Sequence, residues 1–274
     1  MKTVMSLFDG ARMGMASLKL SGRSIGHYYA SEIDESAKLV ANDNFPFAEE
    51  LGDVTKWRDW DVDWSGIDLL IGGSPCQGFS ICGKQLAFED PRSALIKDYI
   101  DILNHIKNLN PNVLFLLENV KMSQENMEEV NKLLGVDAML IDSKAVGPAM
   151  RKRYYWFNWE CAQPDDSGIS FQSILENGFV EKEKSWCPLE SWNRFPKKTE
   201  SAKGRYKRSM MPIIFTSPDF DWDKGWREPS ITEVERMMGV PDGYCKAVKP
   251  KVGKGILGNG WECRTLSHIF KAMP

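Results

Sequence analysis

Four side chains in this sequence have the reactivity that covalent and proton chemistry needs, and each lies close to an apolar run. Cys76 sits in IGGSPCQGFS (residues 71–80), just past the run at 67–71. Glu118 stands near the end of VLFLLENV (113–120), and Arg151 and Arg153 alternate in MRKRYYW (150–156). A free thiol is usually a small buried side chain, so Cys76 needs a positional argument. Gly72 and Gly73 let the chain turn sharply, Pro75 stiffens the turn, and the polar stretch 77–90 reads as a mobile loop. A cysteine at a strand end before such a loop suits a nucleophile better than a core. Glu118 belongs beside it on the same sheet edge, as a group able to give or take a proton. Two arginines on one side of a strand offer fixed cations to a phosphate, a carbonyl oxygen or Glu118.

A second constellation surrounds the first turn, SLFDGARMG (6–14). A strand running into Phe-Asp-Gly suits a tight turn where backbone approaches a ligand, although it is not the G-x-G-x-x-G of dinucleotide folds. Glu32 ends the next strand, 22 residues after Gly10, where an acidic residue holds ribose hydroxyls. Asp53, at the end of a third strand, is placed to accept a hydrogen bond from an adenine amino group. The set points to an adenosine-containing cofactor lying across the strand ends.

The elements that must position these residues alternate. Residues 4–8, 28–31, 67–71 and 113–117 read as strands, and 67–71 is apolar apart from Asp68, as a central strand covered on both faces would be. Between the last two, Leu95, Ile96, Tyr99, Ile100, Leu103 and Ile106 recur at helical spacing, and Pro111 closes a crossover helix. Residues 138–141 and 153–157 read as a terminal antiparallel pair. The result is an α/β fold with a mostly parallel sheet. From 161 to 227 the periodicity fades into a small irregular second domain without a long amphipathic segment. Order returns over 228–274, where Ser230 and Glu233 form a capping box and Gly239 supplies the helix stop.

Composition excludes several classes. The 274 residues, 42% apolar and 27% charged, contain no apolar run near the ~20 residues that span a bilayer. The N-terminus lacks a leader pattern, so a cytoplasmic protein is expected. Six scattered cysteines without a Cys-x-x-Cys pair, and three histidines, argue against zinc and against a disulfide framework. The net charge of −3 conceals RFPKKTESAKGRYKR (194–208), with seven basic residues against one glutamate, and a second cluster at Lys246, Lys249, Lys251 and Lys254. Such clusters are either solvated faces or an electrostatic footprint for nucleic acid.

Taken in order, FDG, SEID, GDVT, SPCQGFS, ENV, RKR and GNG resemble the DNA cytosine methyltransferases that methylate carbon 5. FDGARMG, RKRYYW and GNGWECRTLSHIF are most similar to the catalytic domain of the vertebrate de novo enzymes, and PCQGFS to bacterial members. The resemblance implies a seven-stranded, Rossmann-like methyltransferase sheet that binds S-adenosylmethionine and releases S-adenosylhomocysteine. Residues 1–160 would form the catalytic domain, 161–227 a target-recognition domain, and 228–274 a return to the catalytic domain. It implies cofactor contacts from Phe8, Asp9, Gly10, Met13, Glu32, Ile33, Asp53, Val54, Pro75, Asn259, Gly260 and Trp261; Met13 departs from the smaller residue expected there. Cys76 becomes the nucleophile on carbon 6, Glu118 the group that protonates ring nitrogen 3, Arg153 the donor to the ring carbonyl, and Arg151 the support of that pocket.

Double-stranded DNA is the implied partner, with Gln77, Ser80, Lys197, Lys198, Lys203, Arg205, Lys207 and Arg208 as DNA-contacting candidates. The last group holds the expected base readers, Arg205, Lys207 and Arg208. No metal or membrane is expected, and the chain would act as a monomer or weak homo-oligomer, in a bacterium or phage-infected host, as in restriction-modification. Two other readings stay open: a transfer-RNA methyltransferase of the same fold, and a catalytically silent DNA- or partner-binding relative.

Overall fold

The computed structural model describes residues 3–74 and 94–274. The chain opens β1 (Thr3–Leu7), α1 (Met13–Leu20), β2 (His27–Ser31), α2 (Glu35–Asn44), β3 (Glu49–Glu50) and β4 (Leu69–Gly72), with two short 3-10 turns before β4. It continues with α3 (Ala94–Leu109), β5 (Leu114–Val120), α4 (Gln124–Leu134), β6 (Met139–Asp142), β7 (Ala149–Met150) and β8 (Lys152–Phe157). Then come β9 (Ser185–Trp186), α5 (Thr199–Lys207), β10 (Ile214–Phe215), β11 (Trp226–Arg227), α6 (Ile231–Met238), α7 (Pro250–Asn259) and α8 (Cys263–Lys271).

Seven strands form one sheet in the order β3-β2-β1-β4-β5-β8-β6. All pairings up to β5 are parallel, and β8 runs antiparallel to both β5 and β6, which is the expected terminal pair. The order reverses between β1 and β4, so ligands belong outside the carboxyl ends of these strands. Register aligns those ends: Leu7 lies beside both Ser31 and Gly72, and Gly72 beside Leu117. Asp9, Glu32, Gly73 and Glu118 therefore follow one edge.

Two apolar layers sandwich the sheet. Met5, Leu7, Leu70, Phe115 and Leu117 face Ile96, Tyr99 and Leu103 of α3 and Val130 of α4. Val4, Leu69, Ile71 and Leu116 face Met15 and Leu18 of α1 with Leu266, Ile269 and Phe270 of α8. Strand side chains alternate between faces, and covering both explains the near-continuous apolar run at β4. The predicted capping box at Ser230 and Glu233 and the Gly239 stop both form, ending α6 in a left-handed residue.

The stretch 161–227 differs from its expected irregular form by containing α5, a nine-residue basic helix. Only Ala202, Ile213 and Phe215 form a separate small core there. Phe171, Ile174, Trp192, Met211 and Ile214 join the layer of α1 and α8, and β9 pairs with β7.

Candidate active site

The last residues of β5 build the centre. Glu118 is 7% exposed; its Oε1 lies 2.9 Å from Arg153 Nε, and its Oε2 accepts a hydrogen bond of 3.1 Å from Trp261 Nε1. β8 delivers Arg153 because Val120 pairs with Arg153, placing the guanidinium two residues along the strand from Glu118. Tyr155, in register with Glu118, is buried, and desolvation pushes its phenol up. A buried carboxyl group held by two donors has a fixed direction, as proton transfer to a positioned ring requires.

Asn119 anchors the neighbouring chain. Its buried amide donates to Ser74 Oγ at 3.0 Å, and its own Oδ1 accepts from the Val120 N–H at 2.8 Å. Ser74 is the last described residue before the stretch that holds Cys76. Pro75, Cys76, Gln77 and Ser80, and the expected mobile loop at 77–90, lie outside the described residues. Gly73 has no room for a side chain: a Cβ there would stand 2.5 Å from Trp261 Nε1 and 3.1 Å from Glu118 Oε2.

Arg151 takes a different path from Arg153. It is buried and donates to Gly260 O at 2.7 Å, Cys187 Sγ at 2.9 Å, Gly258 O at 3.4 Å and Pro188 O at 3.5 Å. The two arginines therefore do not act as a convergent pair. Arg151 instead holds the turn that carries Gly260 and Trp261 against the segment after β9.

The edge at β1 and β2 has an open and a closed part. Phe8, Gly10 and Arg12 all have positive φ, which makes the turn tight. Glu32 is pinned there by the backbone N–H groups of Gly10 at 2.8 Å, Ile33 at 2.7 Å and Asp34 at 2.8 Å. Beside it Ile33 is 70% exposed. Asp53 accepts the Thr55 N–H and hydroxyl on Oδ1, bonds that hold its carboxyl below the usual range, and its Oδ2 has no partner among the described residues. Among the described residues, beyond its two chain neighbours, no atom lies within 4 Å of where a Cβ would stand on Gly10. This cradle of an exposed apolar face, an oriented carboxylate and a free acceptor fits an adenosine moiety.

The closed part holds Asp9, Met13 and Val54. Asp9 is buried beneath the turn, accepts from Tyr28 Oη at 2.8 Å and lies 3.4 Å from Arg12 Nε. Arg12 is itself buried and donates to Asn42, the Phe45 carbonyl and Glu50. Met13 and Val54 belong to the two apolar layers. Asn259 is exposed and Gly260 half-buried.

Comparison with known sequences settles the lineage. The profile of C-5 cytosine-specific DNA methylases matches residues 2–139. The chain belongs to the C-5 cytosine methyltransferase family. It is 38% identical to type II methyltransferase M1.ScrFI of Lactococcus lactis subsp. cremoris, over 96% of this chain and 75% of that protein. It is 31% identical to type II methyltransferase M.NlaIV of Neisseria lactamica over 52% of this chain, which spans 31% of that protein. The methyltransferase EhMeth of Entamoeba histolytica shares the fold, with a TM-score of 0.73 at 15% identity over 97% of this chain and 96% of that one. Family and fold are those of S-adenosylmethionine-dependent methyltransferases.

In this family member the basic candidates cluster on and around α5. Lys197, Lys198, Lys207 and Arg208 are exposed, whereas Lys203 and Arg205 are half-buried. Arg205 donates to Arg194 O at 3.2 Å, and Lys203 lies 3.5 Å from Glu200. Through Ala202 and Tyr206 the helix rests on Phe215, Phe220, Trp222 and Trp226. The second basic cluster does not form one face: Lys254 is buried against Glu228 at 2.8 Å, and Lys246 pairs with Asp43 at 3.4 Å. Among the described residues no group of three or more His, Cys, Asp or Glu could hold a metal ion. Nor, among them, is any helix long and apolar enough to cross a membrane.

Sequence reasoning missed the Trp261–Glu118 bond, the Asn119–Ser74 bond and the buried Tyr28–Asp9–Arg12 network. The first joins residues 143 apart, and no local pattern carries it. The second had a signal in the Asn that follows Glu118 in ENV.

Proposed function

We propose that this protein transfers a methyl group from S-adenosylmethionine to carbon 5 of a cytosine in double-stranded DNA, through a transient bond from Cys76 to carbon 6. The observation that carries this reading is Glu118, buried between Arg153 and Trp261 beside the strand end that leads to Cys76. When bound, the cofactor supplies an electrophilic methyl group on a sulfonium. Phe8, Gly10, Glu32, Ile33 and Asp53 would hold it along the open edge, with Asp9, Met13, Val54, Pro75, Asn259, Gly260 and Trp261 shaping that edge.

Carbon 5 of cytosine is a poor nucleophile. Addition of the Cys76 thiolate to carbon 6, with a proton from Glu118 to ring nitrogen 3, converts the ring to an enamine whose carbon 5 is nucleophilic. Arg153 keeps Glu118 in place and supplies a cation beside the ring carbonyl. With the methyl group on carbon 5, loss of the carbon 5 proton to water expels the Cys76 thiolate, and return of the nitrogen 3 proton to Glu118 restores the neutral aromatic ring and the starting acid. Attack runs perpendicular to a face that stacking covers, so the base must leave the helix. The exposed lysines around α5 would neutralise phosphates while Arg205, Lys207 and Arg208 approach base edges.

The family profile is that of a DNA methylase and the relatives carry type II restriction-modification names, which supports duplex DNA over RNA and a bacterial or phage setting. The test begins with bisulfite sequencing of DNA from an expressing host to find the target. A duplex with 5-fluorocytosine at that target should then trap the enzyme, because fluorine cannot leave as a proton. The adduct should survive denaturing electrophoresis, require S-adenosylmethionine, map to Cys76, vanish in Cys76→Ala and persist in Cys82→Ala. Methyl transfer to transfer RNA but not to duplex DNA would replace DNA with RNA as the substrate. An adduct on Cys82 would end the Cys76 assignment.

A further inference from the structure

Trp261 occupies a place that cofactor contact alone does not explain. It follows the Gly260 turn at the C-terminus of α7, yet the residue is 7% exposed and its ring reaches back across the sheet edge. On one side the ring rests on α1, where a Cβ on Gly14 would stand 2.7 Å from Trp261 Cζ3. On the other its Nε1 stands over Gly73 and donates to Glu118 Oε2 at 3.1 Å. Two glycines without room for a side chain thus frame one indole. Its only polar atom faces Glu118.

The geometry points to Trp261 as the positioning residue for Glu118, a role that rests on the proposed methyl transfer. Arg153 alone would fix one carboxyl oxygen and leave the group free to rotate about its last bond. A second donor on Oε2 removes that freedom. The oxygens are then distinguished, Oε1 toward Arg153 and Oε2 toward the indole, so the plane of the carboxyl group is set before a base arrives, which is the condition for efficient proton transfer. Arg151 extends the device: by donating to Gly260 O at 2.7 Å it holds the turn from which Trp261 projects. The first arginine of RKR therefore supports Glu118 through the backbone of the GNG turn and an indole, while the second touches Glu118 directly.

Trp261→Phe keeps the ring over Gly14 and Gly73 and removes the N–H. It should slow single-turnover methyl transfer about ten-fold, the order of one buried hydrogen bond lost. S-adenosylhomocysteine affinity by titration calorimetry should stay within about two-fold, because the packing is kept. A direct readout does not depend on activity. In protein labelled with 15N-tryptophan, the indole resonance that disappears in Trp261→Phe should shift in Glu118→Gln, which replaces the acceptor of its hydrogen bond. A resonance that does not move in Glu118→Gln would overturn the assignment, even if Trp261→Phe proves unstable. So would cofactor affinity falling in parallel with rate, which would leave Trp261 as a cofactor contact only. If the wild type methylates no cytosine, the proposed function fails, while the resonance still decides the bond.

Discussion

In the proposed reaction, the carboxyl ends of β4 and β5 and the basic segment around α5 would solve different problems with different physics. At the sheet edge one carboxyl group, Glu118, is buried and held from two sides. Around α5, Lys197, Lys198, Lys207 and Arg208 extend into solvent above a thin layer of aromatic rings. Proton transfer depends on direction, so burial and paired donors are useful there. Phosphate attraction depends on charge over a range of positions, and long exposed side chains suit it. The same chain therefore concentrates rigidity at the first region and exposed positive charge at the second.

Replacing Glu118 with Gln should have the largest effect, because it keeps shape and removes the proton. We expect kcat to fall about 10²–10⁴-fold while duplex affinity, measured by fluorescence anisotropy, changes less than about two-fold. Equal loss of binding and rate would break the contrast between the two regions. On the other side, Lys197→Ala, Lys198→Ala and Lys203→Ala combined should leave the proton chemistry intact and weaken duplex binding at every sequence. Each lost phosphate contact should lower the slope of log K against log salt by roughly 0.9. Lys203 lies near Glu200, so its share should be the smallest of the three. An unchanged slope would remove these lysines from the interface.

The comparison also explains what the sequence revealed. Strand-to-helix alternation over the first 150 residues showed the sheet, because apolar periodicity records burial, and the ends of β1, β2 and β5 put Gly10, Glu32 and Glu118 on one edge. Arg153 was legible for the same reason, since β8 pairs beside β5. Arg151 was not: alternation suggested a shared side, but it precedes β8, and its guanidinium follows the carbonyls of Gly258 and Gly260. α5 escaped notice because its sequence, TESAKGRYK, buries only Ala202 and so leaves almost no apolar period. The Trp261–Glu118 bond spans 143 residues and depends on two close approaches that only the fold creates.

A smaller effect is expected where the regions join. Gly258 of α7 packs on the 3-10 turn that begins at Glu190, and a Cβ there would stand 2.5 Å from Glu190 N and 2.6 Å from Leu189 O. These are backbone atoms, so they cannot move aside as a side chain would. Gly258→Ala should destabilise by about 1–3 kcal/mol, lowering Tm by about 2–8 °C, with a matching loss of duplex affinity as the α5 region loses its seat. An unchanged Tm would mean that the turn is free to shift.

The smallest effect concerns pH, and again the two regions oppose each other. Asp9, buried beneath the turn of Phe8 and Gly10, has its pKa pushed up from 3.8 to about 7 by desolvation, which outweighs the hydrogen bonds and charge that lower it, among them Tyr28 and Arg12. Asp219, exposed beyond β10, is lowered to about 2 by hydrogen bonds from Lys224 and Ser217. In the unfolded chain Asp9 loses its proton near 3.8, so between pH 4 and 7 the folded state binds more protons than the unfolded one. Stability from this group is present at low pH and declines as pH rises toward 7. Asp219 has the opposite sign but acts only below about pH 4, where its unfolded form begins to take up a proton. Glu262 and Glu235 are also raised by burial and add to the trend set by Asp9. Tm measured from pH 5 to 8 should therefore fall with rising pH, and Asp9→Asn should shrink that slope without abolishing it. Retention of the full slope in Asp9→Asn would show that Arg12 and Tyr28 keep Asp9 ionised in the folded protein, and that the turn carries its charge at neutral pH.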